Sequence, residues 1–157
     1  MKLPPFQAFL DDHRQDVHRF LVASVGPHDA DDAFQETFIA ALRNYKRLEP
    51  GSNLKGWVLT IAHRKAIDQH RARRRRPVPV DEVPERPVRD GHPALDGRPE
   101  LWQAVRELPP KQRTAVAHRF VNDLQYEQIG EIMGTSQEAA RRNVYEGLEK
   151  LRKVWQP

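Results

Sequence analysis

The sequence predicts an all-α protein made of two small helical domains joined by a proline-rich, acidic linker. Three observations carry this expectation. Apolar residues recur at three- and four-residue intervals through most of the chain, the period of a helix with one buried face. No segment alternates apolar and polar residues long enough to make a strand. Pro77, Pro79, Pro84, Pro87, Pro93 and Pro99 crowd a stretch in which carboxylates outnumber cations. Each proline fixes its own φ, lacks an N–H and turns its predecessor away from helix. That stretch is expected to be an extended linker, stiffer than a Gly/Ser chain. The domains then fall at residues 1–76 and 100–157 around a linker at 77–99, an economical division of a 157-residue chain.

The elements follow in order. Phe6, Phe9, Leu10, His13, Val17, Phe20, Leu21 and Ser24 line one face of a first helix, with Asp11, Asp12, Arg14 and Gln15 opposite. Gly26-Pro27 ends it. Asp29 or Asp31 is expected to cap the second helix, whose stripe is Phe34, Phe38, Ala41, Leu42 and Tyr45. Glu49 to Asn53 is a turn cluster. A third helix is predicted from about Leu54 to Arg74, with Leu54, Trp57, Val58, Ile61 and Ala62 inward.

Past the linker, Leu101, Trp102, Val105 and Leu108 make a short helix that Pro109-Pro110 breaks, the second proline suiting the start of the next helix. That helix turns Val116, Ala117 and Phe120 inward, and Asn122-Asp123 closes it. A helix from Tyr126 to Met133 presents Ile129, Ile132 and Met133, and Gly134 stops it. Ser136 caps a final helix with Ala139, Ala140, Val144, Leu148 and Leu151 inward. Gly147 is expected to weaken this helix by about 1 kcal/mol relative to Ala.

Composition removes several function classes. Without cysteine there is no disulfide, Cys-based zinc site or Cys nucleophile, and a reducing cytosol is the plain expectation. No run of eighteen apolar residues exists, so no membrane insertion is expected, and the opening residues lack the apolar stretch of a signal peptide. No phosphate loop, Ser-His-Asp order or dinucleotide fingerprint appears, so neither an enzyme nor a cofactor is expected. His63, Asp68 and His70 share a helix, but the two histidines lie roughly 10 Å apart along it, too far for one ion, so no metal site is expected. A net charge of +4 permits a polyanionic partner without requiring one.

The informative constellations are three. Residues 124–144 hold two helical segments, a tight MGTS turn, and small residues (Gly130, Ala139, Ala140) at the crossing. That is a helix-turn-helix, so the second domain is expected to be a helix-turn-helix domain whose last helix presents Gln137, Glu138, Arg141, Arg142 and Tyr145. The bland alternative is an αα-hairpin with a solvated face. Second, Arg71 and Arg73 to Arg76 follow Arg64 and Lys65. Such a run stays exposed and commonly faces a polyanion, or else is a solvated helix end. Trp57 and Tyr45 nearby could stack on single-stranded bases or simply fill the core. Third, Asp31 and Asp32 suit a helix N-terminus, whereas Gln35 and Glu36 are expected to form an exposed protein-binding face.

The runs DADDAFQETFIAALRNY, LKGWVLTIAHRKAIDQHRARRRR and ELPPKQRTAVAHRFVNDLQYEQIGEIMGTS together resemble an extracytoplasmic-function (ECF) type of bacterial RNA polymerase sigma factor. The resemblance spans about residues 6–153 in that family's two-domain order. It implies a region 2-like domain at 1–76 that binds core polymerase and the promoter's minus-ten element, and a region 4-like domain at 100–157. By this resemblance Asp32, Gln35, Glu36 and Asn44 would dock on the β′ clamp helices. Ser52, Asn53, Lys55, Trp57, Arg64, Lys65, Arg71, Arg73 and Arg74 would meet minus-ten DNA. Ser136, Gln137, Glu138, Arg141, Arg142 and Tyr145 would meet the minus-thirty-five element, and the same domain would touch the β-flap. The acidic linker would thread near the RNA exit channel. An anti-sigma factor is an implied further partner, and the implied location is cytoplasmic. Two departures stand out: Glu146 and Leu148 replace basic positions of the last helix, and Arg64 stands where the family often has Asn. The alternatives are a helix-turn-helix regulator and a sigma-like interaction module that does not support initiation.

Overall fold

A computed structural model describes residues 2–75 and 99–154; of the expected linker at 77–99 all but Pro99, which opens a helix, lies outside them, as do the side chains of 73–75. The described residues form seven α-helices and one short 3-10 turn: α1 Phe6–Val25, α2 Pro27–Asn44, the turn Tyr45–Arg47, α3 Leu54–Arg75, α4 Pro99–Arg106, α5 Pro110–Phe120, α6 Tyr126–Met133 and α7 Gln137–Val154.

Helices α1–α3 pack around Phe9, Val17, Leu21, Phe38 and Val58. At one end an aromatic cluster closes the bundle, with Phe9 between Tyr45 at 5.1 Å, Trp57 at 5.8 Å and Phe38 at 6.1 Å. The Tyr45 hydroxyl donates to the Pro4 carbonyl and ties the chain's start to this cluster. The joint between α1 and α2 differs from expectation. Neither Asp29 nor Asp31 caps α2; Gly26, at φ 91°, is its N-cap and Pro27 its first residue. Proline is already set for a helix start, so α2 begins early and Asp29 falls inside the first turn, where it still suits the dipole. Asp31 instead lies 3.5 Å from His18 Nε2. The start of α3 is held by Asn53, whose Oδ1 accepts the Gly56 N–H at 3.1 Å.

In the second helical group the helix-turn-helix forms as the sequence predicts. Gly134 ends α6 in the left-handed conformation, φ 68°, and the Ala139 N–H donates to Ser136 Oγ at 3.0 Å to start α7. Gly130 lies so close to the turn that a Cβ there would stand 2.9 Å from the Thr135 carbonyl oxygen. Gly147 corrects the sequence expectation. It is buried at the crossing of α7 and α5, where a Cβ would come within 2.9 Å of Val116 Cγ2. It is a point of close helix approach rather than a weak spot. Two stripe residues also turn the other way: Leu42 is 57% exposed and Phe120 is 54% exposed. Leu42 sits at the edge of its apolar face, where a small rotation of the helix carries it outside, whereas Phe120 lies within its stripe but is the last residue of α5.

The two helical groups share an apolar seam. The His118 ring of α5 stacks on Phe20 of α1 with centroids 4.1 Å apart and planes 6° from parallel, and His63 of α3 lies 5.8 Å away. Arg113 donates to the carbonyls of Ser24, at 3.2 Å, and Leu108, at 2.8 Å, and its Nη1 also meets His70 Nδ1 at 3.1 Å. The Asn122 amide donates to the Asp16 carbonyl at 3.2 Å.

Candidate nucleic-acid interface

The outer face of α2 carries Asp32, Gln35 and Glu36, all exposed. On the same side, Ile39 is 50% open to solvent beside Leu42. At about 100° per residue these positions form one stripe, and Asn44 falls beside it rather than on it. The Asn44 amide is used within the helix, donating to the Ala40 carbonyl at 2.9 Å. The sequence pattern missed Ile39, because it adjoins the buried Phe38 and Ala41 and so looks like core.

Along α3 the predicted DNA residues separate into two sets. Ser52 and Asn53 serve the backbone, Ser52 Oγ donating to the Glu49 carbonyl at 2.6 Å and Asn53 capping the helix. Lys55 Nζ lies 3.8 Å from Asp16 Oδ2. Trp57 is half-buried in the aromatic cluster. Arg64 and Arg71, two turns apart, are exposed on one side, and Lys65 beside them is half-buried. Arg73 and Arg74 lie among the side chains not described. Asn53, Lys55 and Trp57 border a cleft of about 230 Å³ whose opposite wall is Leu124, Gln128, Glu131 and Ile132, so α6 stands over the first turn of α3.

On α7 the whole predicted set is brought together. Gln137, Glu138, Arg141, Arg142 and Tyr145 are exposed on one face, opposite the buried Ala140 and Val144, with Ser136 at its start. Arg141 is tied to Tyr145: Nη2 donates to the phenol oxygen at 3.2 Å and the guanidinium carbon lies 5.2 Å from the ring centroid. The bond to the Tyr145 hydroxyl pushes the Arg141 guanidinium further up from its already high pKa. Tyr145 also meets Tyr126 of α6 edge to face at 6.4 Å, and Arg119 of α5 lies 5.5 Å from the centre of the Tyr126 ring. Sequence reasoning did not find Arg119 and Tyr126. They come from helices that only the fold brings beside α7.

Among the described residues no group of three or more His, Asp or Glu side chains comes together. Burial instead pushes His63 down to about 4, helped by Arg64, and pushes His118 well below the usual histidine range, helped by His63.

A helical protein with an exposed helix-turn-helix face and a separate arginine-bearing helix belongs to the class of sequence-reading DNA-binding proteins. The comparisons give the particular family. The chain matches Sigma-70 region 2 over residues 9–76 and Sigma-70 region 4 over residues 98–151, and it belongs to the RNA polymerase sigma factors, of the extracytoplasmic-function type. It is 33% identical over 134 residues to RNA polymerase sigma factor CarQ of Myxococcus xanthus, covering 80% of this chain and 74% of that one. It is 31% identical over 162 residues to ECF RNA polymerase sigma factor SigE of Mycolicibacterium smegmatis, covering 96% of this chain and 61% of that one. Among solved structures, the sigma factor RpoE from Bartonella quintana, crystallised with the anti-sigma factor NepR, shares the fold at a TM-score of 0.76 and 24% identity, with 95% of each chain covered. Among the described residues no helix is long and apolar enough to cross a membrane.

Proposed function

We propose that this sigma factor directs core RNA polymerase to promoters through three surfaces. The α2 stripe of Asp32, Gln35 and Glu36, with Asn44 beside it, docks on the β′ clamp helices. The α3 side bearing Arg64 and Arg71 engages the minus-ten element, with Ser52, Asn53, Lys55, Trp57, Lys65, Arg73 and Arg74 around it. The α7 face reads the minus-thirty-five element while its domain meets the β-flap. The protein acts in the cytoplasm, carries no catalytic chemistry of its own and is restrained by an anti-sigma factor, as the RpoE–NepR pair suggests by analogy.

The observation that carries the docking assignment is the makeup of the α2 stripe. Its carboxylates and amide flank Ile39 and Leu42, at 50% and 57% exposure, a mixed surface suited to partner helices. The test is titration against core polymerase followed by promoter-specific transcription. Gln35→Ala with Glu36→Ala should abolish core binding while shifting unfolding stability by less than about 0.5 kcal/mol, because both side chains are exposed. Unaltered affinity for core would move the docking face elsewhere.

A further inference from the structure

We propose that Tyr145 is a specificity-determining positioning residue: it fixes the guanidinium plane of Arg141 so that Arg141 reads a guanine edge in the upstream promoter element. The inference rests on the assignment of α7 as the DNA-reading helix and goes one step further, to how one of its side chains is aimed.

An arginine on an exposed helix face samples many rotamers, and a bidentate contact with guanine demands one plane and one rotation of its fork. Here two contacts to the same neighbour restrain the group. The guanidinium carbon lies over the Tyr145 ring, 5.2 Å from its centroid, which holds the group against that ring. Nη2 donates to the phenol oxygen at 3.2 Å, which tethers one end of the fork and so limits its rotation. Arginine has five N–H donors, so one bond to tyrosine leaves the others for a base.

The ring that does the aiming is itself held. Tyr145 is 49% exposed, yet it packs edge to face on Tyr126, with centroids 6.4 Å apart and planes at 83°. Tyr126 lies below the guanidinium of Arg119, 5.5 Å from the ring centre. Arg119 is secured by the Asp123 carboxylate and the Leu124 carbonyl, each at 3.4 Å. Asp123, at φ 55°, forms the turn between α5 and α6. The posture of Arg141 is therefore referred back through Tyr145 and Tyr126 to the frame of the helix-turn-helix.

The experiment is promoter-library transcription with core polymerase and the full chain, comparing wild type, Arg141→Ala, Tyr145→Phe and the double variant. Tyr145→Phe keeps the ring and removes only the hydroxyl. It should lower discrimination at the base pair that Arg141→Ala affects, and nowhere else, by about three- to tenfold, the range for one hydrogen bond of ordinary net strength. The double variant should be no worse than Arg141→Ala alone, because the hydroxyl acts through the arginine. If Arg141→Ala relaxes one position and Tyr145→Phe leaves that position at wild-type discrimination, the positioning role is overturned while the reading helix stands. If Tyr145→Phe relaxes a different position, tyrosine reads DNA by itself and the positioning role is likewise overturned. If Arg141→Ala changes no position, the underlying assignment of α7 fails instead, and the inference with it.

Discussion

Gly147 shows how one missing methyl group sets a helix crossing. Placed on a helix surface, glycine would cost about 1 kcal/mol relative to alanine. At this position a Cβ would meet Val116 Cγ2 at 2.9 Å, Leu108 Cδ1 at 3.4 Å and Gln112 Cβ at 3.5 Å. Val116 is 2% exposed and has a stiff side chain, so it has little room to give. Overpacking of this kind costs about 1–3 kcal/mol. The packing loss should outweigh the helix-propensity gain, and Gly147→Ala should destabilise the protein by about 1 kcal/mol, measured by urea unfolding. A stabilised variant would mean that α7 can lift from α5 freely.

At the scale of elements, α3 separates two kinds of contribution to promoter binding. Its first turn is occupied with its own cap and with the aromatic cluster, whereas Arg64 and Arg71 stand exposed on one side. If that side follows the DNA backbone, Arg64→Ala with Arg71→Ala should lower the slope of log affinity against log salt by about two units, one for each phosphate no longer neutralised. The measurement is forked-DNA binding by the polymerase assembled with each variant, across a salt series. A slope equal to wild type would make these arginines solvated ornaments of the helix surface. This division was only partly legible beforehand. Helix ends were readable because their causes are local: Gly134, Ser136 and the Pro109-Pro110 pair act on their own neighbours. The exposed face of α7 was readable for the same reason, since its period alone separates Arg141 and Tyr145 from Ala140 and Val144. Leu42 and Phe120 turn outward because one lies at the edge of its stripe and the other at the end of α5, and the period alone settles neither. The start of α2 is not legible from its acids, because Pro27, preset for a helix start, begins the helix ahead of both Asp29 and Asp31.

The whole molecule adds something no stripe announces: α1 and α3 meet α5 and α6 along a seam with a fully buried imidazole in it. His118 lies flat on Phe20, near His63, and among the described residues neither of its ring nitrogens has a hydrogen-bond partner. The seam also leaves Leu124 and Gln128 facing Asn53 and Trp57 across the cleft beside the first turn of α3. Burial keeps both histidines neutral, with His63 down to about 4 and His118 well below the ordinary 6.5. The unfolded chain, whose histidines titrate near 6.5, then binds more protons than the folded one as pH falls below that value. Stability contributed by the neutral rings is complete above about pH 7 and is lost on acidification, by up to about 1.4 kcal/mol per pH unit for each histidine, with the His63 part levelling off near pH 4. His118→Leu removes one of these proton sites and its two unpaired nitrogens together. At pH 7.5 the variant should match or slightly exceed wild type, because a buried polar group without partners is replaced by an apolar one. Between pH 6.5 and 4.5 its stability should fall less steeply than that of wild type, by one proton's worth of slope. Urea unfolding at four pH values measures both quantities. Equal slopes would mean that His118 titrates as an exposed residue, and hence that α5 does not rest on α1 in solution.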